Sequence, residues 1–274
     1  MKEPANLAFG RALRLRRLYR HGGDRLLIVP LDHAVADGPL VARGGPGPLV
    51  ARLAGHGVDA VILHKGAART VDQRALADTA LVVHLNGSTR FAADPDAKYL
   101  LATVEEAVRL GADAVSVHVN LGSLDERRQI SDLASVAEAC DGWNMPLLAM
   151  VYPRGPQIAD PTDPVLVAHA ATLAAELGAD LVKTPYAGSP AAMADVVAAC
   201  PIPVLAAGGP RVADDAALLA HVDAVLSSGA AGFAMGRNIF QSTDPGRLAE
   251  LVAGRVHGPA PVRGPVRRFE TVAG

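Results

Sequence analysis

One phrase recurs along the chain, and its spacing limits what the chain can become. Gly57-Val-Asp-Ala-Val, Gly111-Ala-Asp-Ala-Val and Gly178-Ala-Asp-Leu-Val each follow a segment rich in Ala, Leu, Glu and Arg. The glycine reads as a helix C-terminus, since glycine reaches the left-handed conformation at little cost, and a strand is expected three residues on. His221-Val-Asp-Ala-Val resembles the phrase without its glycine and reads as the start of a weaker segment. Around these points β-rich runs alternate with helical segments. The runs fall at 26–33, 60–65, 80–85, 114–120, 146–152, 181–186, 203–207 and 232–235. Such alternation predicts a parallel sheet with crossover helices, and eight units predict closure into a (β/α)8 TIM barrel. An open doubly wound sheet is the competing arrangement. It usually has fewer strands, and no GxGxxG follows the first run.

The chain of 274 residues suits one barrel, a fold of about 250 residues. The barrel is expected over 1–256, followed by an extended Pro-, Gly- and Arg-rich tail over 257–274, either a loose terminus or a strap across a neighbouring subunit. Half the residues are hydrophobic but only 4% are aromatic, so Ala, Val and Leu must fill the barrel layers. A first helix is expected over 4–20. Leu7, Leu15 and Leu18 would lie on the barrel floor, with the arginines in solvent and Gly22-Gly23 ending the helix. A net charge of −2 without a basic stripe argues against nucleic acid. No run approaches the ~20 apolar residues of a membrane span, and the N-terminus lacks the apolar stretch of a signal peptide. Cys140 and Cys200 are not in CxxC spacing and read as small buried residues of a reduced, cytoplasmic protein.

A barrel carries its active site at the C-terminal ends of its strands. By the two-residue period, Ser116, His118 and Asn120 share the inward face of the fourth strand, and His84 and Asn86 that of the third. Asp32 follows Ile28 and Pro30 on the first. The sixth run places Lys183 inside an otherwise apolar stretch. Loss of hydration there disfavours the charged amine and lowers its pKa, and a neutral amine condenses with a ketone to form an imine. The competing reading is a lysine held in a structural ion pair. An imine is an electron sink, so a carbon–carbon bond beside it can break or form, provided a general acid/base serves the hydroxyl. Asp32 and Tyr152 stand at strand ends as candidates. Gly208 and Gly209 after the seventh run, and Gly236 after the eighth, let the backbone approach a phosphate, with Arg237 and Arg211 near its charge. Two rival readings remain. His33, His64, His84 and His118 end the first four strands, which would suit a metal-dependent aldolase, although no HxH or HExxH spacing supports it. A barrel that only binds a sugar phosphate as a regulator would leave Lys183 without a use.

These residues lie in stretches that resemble a known family: Arg14-Leu-Arg-Arg-Leu-Tyr, Val29-Pro-Leu-Asp-His with Asp37-Gly-Pro, Met150-Val-Tyr-Pro-Arg-Gly, Val182-Lys-Thr-Pro-Tyr, Gly208-Gly and Gly236-Arg-Asn. The chain is similar, over nearly its whole length, to the archaeal-type class I aldolases of the DhnA, DeoC and FbaB group. The resemblance implies Lys183 as the imine lysine, Tyr152 as acid/base, Asp32 as a second catalytic group, and a phosphate cradle at Gly208, Gly209, Gly236 and Arg237. No cofactor and no metal are expected. The expected partners are a small phosphorylated ketone, dihydroxyacetone phosphate, and an aldehyde acceptor. The chain looks most like members whose acceptor is L-aspartate 4-semialdehyde; members making 2-amino-3,7-dideoxy-D-threo-hept-6-ulosonate or acting on fructose bisphosphate are the alternatives. His33, His84, His118, Asn120 and Arg154 are the candidate substrate contacts. A homo-oligomer, pentamer or decamer, is expected from the resemblance. The chain departs from the family pattern at Ala34, where many relatives carry Gly, and at Ala207, where a Ser often supplies one more phosphate donor.

Overall fold

The three glycines of the recurring phrase, Gly57, Gly111 and Gly178, have φ of 78°, 77° and 89°, and strands begin at Ala60, Ala114 and Leu181. The computed structural model describes residues 8–21, 23–40, 45–212 and 214–258. Its strands are β1 (Leu26–Pro30), β2 (Ala60–His64), β3 (Ala80–His84), β4 (Ala114–Leu121), β5 (Leu147–Pro153), β6 (Leu181–Thr184), β7 (Val204–Ala207) and β8 (Gly232–Ala234). Each pairs in parallel with the next, and β8 closes on β1 with Gly232 opposite Leu26. That closure requires glycine: a Cβ at position 232 would sit 2.0 Å from the Leu26 carbonyl oxygen.

All eight expected strands are present, but two are shorter than expected by more than one residue. β1 ends at Pro30, and the chain turns at 31–33 into the short helix Ala34–Asp37. β6 ends at Thr184, because Pro185 has no N–H to give the ladder. The segment 221–225 opens no new element. It lies inside the helix Asp215–Ser227, since without the glycine nothing terminates that helix there.

The two faces of the strands bury two separate cores. Leu26, Ile28, Ala60, Ile62, Val82, Leu148, Met150, Leu181 and Leu205 fill the barrel interior. Their neighbours one residue along, such as Leu27, Val29, Val61, Val83, Val117 and Val182, pack outward against the helices. The floor is closed by helix α1 (Phe9–Leu18), through Leu15, Leu18 and the following Tyr19. The expected face of α1 is therefore present at Leu15 and Leu18, while Leu7 lies outside the described residues.

The arginines of α1 are not all in solvent, because the aspartate of the recurring phrase serves two partners. Asp59, Asp113 and Asp180 each accept the N–H of the strand before their own: Leu27 at 2.7 Å, Leu81 at 3.1 Å and Leu147 at 2.8 Å. Each also faces a cationic or imidazole side chain from α1 or its end. Asp180 meets Arg11, Asp113 meets Arg17, and Asp59 meets His21. An ion pair with an exposed partner, such as Arg17 (62% exposed) with Asp113, contributes at most about 1 kcal/mol, whereas a fully buried leucine contributes about 1.5–3 kcal/mol. Leu15 and Leu18 therefore hold α1 in place, and the aspartates set its orientation.

Between β3 and the helix Val104–Arg109, Asn86–Gly87 pairs antiparallel with Tyr99–Leu100. This pair carries the loop 88–98 up to one side of the barrel mouth. Cys140 and Cys200 are both buried free thiols, and burial pushes Cys140 up to about 12. No described helix is long and apolar enough to cross a membrane. The tail beyond Gly258 lies outside the described residues.

Candidate active site

A cavity of about 960 Å³ opens at the C-terminal ends of the strands. Register and pleat bring the inward side chains of seven strands, β2 to β8, to it. Met150 of β5 lies opposite Lys183 of β6, so Tyr152, two residues further on, stands above that pair. The Lys183 side chain lies 5.8 Å, measured from Nζ, from the centre of the Tyr152 ring. Lys183 is 8% exposed, and among the described residues its amine makes no ion pair or hydrogen bond. No described residue forms the structural ion pair that would make this lysine inert.

Asp32 faces the same space from the end of β1. Its Oδ2 is 3.7 Å from His84 Nε2, and its Oδ1 is 3.5 Å from His33 Nδ1. Burial alone would raise the Asp32 carboxyl, but His84, His33, Lys183 and His64 outweigh burial and hold it at about 2. Burial pushes His84 the other way, down to about 4, against the pull of Asp32. Near neutrality the pair is thus a carboxylate beside a neutral imidazole. The ionised Asp32 can only accept, which favours the ring proton on His84 Nε2 and leaves Nδ1 to accept from the Ser116 hydroxyl 2.8 Å away. His33 and His64 are also lowered, by burial first.

Imidazoles held neutral by burial make folding sensitive to acid. The unfolded chain takes up a proton near pH 6.5 at His84, and the folded one only near 4. Stability from this group is fully present above about pH 6.5 and falls as pH drops toward 4, by on the order of 3 kcal/mol. Urea unfolding at pH 7 and pH 5 should show about 2 kcal/mol of this loss, and His84→Gln should flatten it. An equal slope in both proteins would refute the assignment.

The far side of the cavity is built from the ends of β7 and β8. A Cβ at Gly208 would come within 2.5 Å of the Met235 side chain, and one at Gly236 within 2.7 Å of the Pro30 carbonyl and 2.9 Å of the His33 ring. Only glycine fits at either turn. Gly209 has φ of 66° and open space before it. Asn238, buried, locks the two turns together. It donates to the carbonyls of Gly208 (2.7 Å) and Pro210 (3.1 Å) and accepts from Val212 N–H at 2.7 Å. Arg237 donates to the Gly209 carbonyl at 3.4 Å.

The candidate contacts for the second substrate separate. Arg154 and His118 line the cavity, but Asn120 does not. Its amide accepts from His118 Nε2 at 2.8 Å and donates to the Asp96 carbonyl at 2.8 Å, so it fixes the mouth loop to β4. His118 is held well below its ordinary range, by burial first. Three residues that the sequence reading did not single out also reach the site: Asn238, Lys98 and Asp96. Asn238 sits in the Gly236-Arg-Asn stretch and was open to notice. Lys98 and Asp96 lie in the 88–98 loop and had only that loop's length and charge as a signal. Lys98 donates to Ser88 Oγ and the Pro95 carbonyl, both at 2.7 Å, and Asp96 is 3.9 Å from Arg154. The four strand-end histidines do not gather around one point. Among the described residues, the group of three possible metal ligands within 4.8 Å of one another is His21, Asp59 and His257, at the barrel floor.

A buried, unpaired amine with a phenol and a carboxylate across one cavity is the equipment of an aldolase, a carbon–carbon lyase, and comparison with known proteins gives the same class. The chain belongs to the DeoC/LacD family of aldolases, whose model matches residues 26–242. It is 59% identical over 252 residues, 92% of each chain, to a 2-amino-4,5-dihydroxy-6-oxo-7-(phosphonooxy)heptanoate synthase of Streptomyces griseus. It is 42% identical to a 2-amino-3,7-dideoxy-D-threo-hept-6-ulosonate synthase of Archaeoglobus fulgidus, over 91% of this chain and 92% of that one. Among solved structures it resembles an archaeal fructose-1,6-bisphosphate aldolase whose catalytic lysine is covalently bound to the carbinolamine intermediate of its substrate. The TM-score is 0.79 at 32% identity, covering 90% of this chain and all of that one.

Proposed function

We propose that the protein joins dihydroxyacetone phosphate to L-aspartate 4-semialdehyde, giving 2-amino-4,5-dihydroxy-6-oxo-7-(phosphonooxy)heptanoate. The observation that carries this reading is the unpaired Lys183 amine facing the cavity, with the Streptomyces griseus relative as support for the substrates. Lys183 adds to the ketone, and loss of water leaves an imine. Removal of a proton from the adjacent hydroxyl-bearing carbon gives an enamine, which attacks the aldehyde carbon. The new alkoxide takes up a proton, and water returns to free the lysine. Tyr152 is the group placed to move those protons, with Asp32 as a fixed negative charge opposite the amine. The turns at Gly208, Gly209 and Gly236, with Arg237, hold the phosphate. Arg154 and Lys98 face the acceptor carboxylate, and Asp96 its ammonium.

The test is product formation from the two pure substrates, followed by mass spectrometry. The seven-carbon amino keto phosphate is expected. Glyceraldehyde 3-phosphate in place of the semialdehyde should turn over at least about tenfold more slowly, since it leaves the carboxylate and ammonium partners unmatched. Equal or faster turnover with that aldehyde would assign the protein to fructose-bisphosphate synthesis instead.

A further inference from the structure

The barrel holds a second group of imidazoles and carboxylate, at the end opposite the cavity. Asp59 precedes β2 and is fully buried. Its Oδ1 lies 2.7 Å from His21 Nδ1, and its Oδ2 lies 3.2 Å from His257 Nε2. The two rings stack with centroids 4.2 Å apart and planes 28° apart. The carbonyl oxygen of Gly57 is 3.1 Å from the same His257 nitrogen. None of these residues lines the cavity, and the aldol reaction uses none of them.

We propose that His21, Asp59 and His257 form a structural site for one divalent transition-metal ion of the zinc class. The donor set decides the ion. Two imidazole nitrogens and one carboxylate oxygen suit Zn²⁺ or Co²⁺, whereas Mg²⁺ and Ca²⁺ call for oxygen ligands throughout. Bonds of about 2.0–2.2 Å in a tetrahedral array place neighbouring donors roughly 3–3.5 Å apart. Of the present nitrogen–oxygen separations, 3.2 Å lies within that range and 2.7 Å just below it, so small ring movements suffice. The carboxylate is already aimed, because the Leu27 N–H holds Asp59 Oδ2 at 2.7 Å. Such outer partners orient metal ligands. The His21 side chain is 34% exposed, which leaves a path for the ion and room for a water in the fourth position. An ion there replaces the two ring protons that otherwise face Asp59. It also joins the floor plug that follows α1 to the last helix, Pro245–His257, from the opposite end of the chain. The site is therefore a staple on the barrel floor, and its occupancy is linked to stability.

Tag-free full-length protein, stripped with chelator and titrated with Co²⁺, tests the proposal. One ion per chain is expected, with the visible absorption of four-coordinate cobalt. Zn²⁺ at a hundredfold excess over Kd should raise the Tm by roughly 5–10 °C. His21→Gln and His257→Gln should each weaken Co²⁺ uptake by about a hundredfold or more, beyond what loss of an outer partner costs. Aldol turnover by both variants should match the parent, since the ligands lie at the far end of the barrel. The proposal is overturned if the parent chain takes up no Co²⁺. It is equally overturned if uptake survives both substitutions and disappears in His84→Gln, which would place the ion among the strand-end histidines.

Discussion

Replacing Lys183 by alanine should lower kcat by on the order of 10⁴–10⁶-fold, the loss expected when a covalent nucleophile is removed. The same change should abolish the adduct that borohydride traps from dihydroxyacetone phosphate, which peptide mass spectrometry should otherwise locate on Lys183. Structure and stability should change little, for a reason specific to this site. The amine has no ion-pair or hydrogen-bond partner among the described residues, and Asp32, which it helps to hold ionised, keeps His84 and His33 beside it. The side chain points into a solvent-sized cavity rather than a packed layer, so no closed void is created. A Tm within a few degrees of the parent is expected, and it separates lost chemistry from lost folding. Turnover above about 1% of the parent, or an adduct that moves to Lys65 or Lys98, would end the imine assignment to Lys183.

Much of this fold can be read from local spacing, and the exceptions have physical causes. The Gly-x-Asp phrase predicts the starts of β2, β4 and β6 to the residue, because a left-handed glycine and a strand start are both local events. The ends of β1 and β6 were harder to place, since Leu31 and Pro185 continue the apolar pattern after the ladder has stopped. The Asn86–Gly87 and Tyr99–Leu100 pair is two residues wide on each side and shows no periodicity at all.

The site divides along the same line. Lys183, Tyr152 and His84 are each placed by their own strand and its two-residue period, and Asp32 by the turn at 31–33 that follows β1. Which atoms those side chains satisfy depends on residues far away in sequence. Asn120 points inward as its spacing requires, yet its amide is already satisfied by His118 and by the Asp96 backbone. The arginines of α1 look solvated until the aspartates of the repeat are found beneath them.

Tyr152→Phe should leave the borohydride-trapped adduct intact and lower kcat by about 10²–10⁴-fold, the contribution of a positioned general acid/base. The reasoning rests on where the phenol stands. Its ring lies between the Lys183 amine, 5.8 Å from the ring centre, and the Arg154 guanidinium, 5.6 Å away, with the His118 ring at 4.9 Å. The phenylalanine ring keeps the packing while removing the proton carrier. Asp32 is the competing carrier, and its environment argues against that role. A carboxyl held at about 2 is a weak base near neutrality, so Asp32 serves better as a fixed charge that stabilises the iminium. Asp32→Asn should therefore slow formation of the adduct itself, whereas Tyr152→Phe should slow only the steps after it. Rapid-quench trapping reads the two separately. If Tyr152→Phe loses less than about tenfold while Asp32→Asn forms its adduct at the normal rate and then stalls, the proton belongs to the carboxylate and the phenol only shapes the cavity.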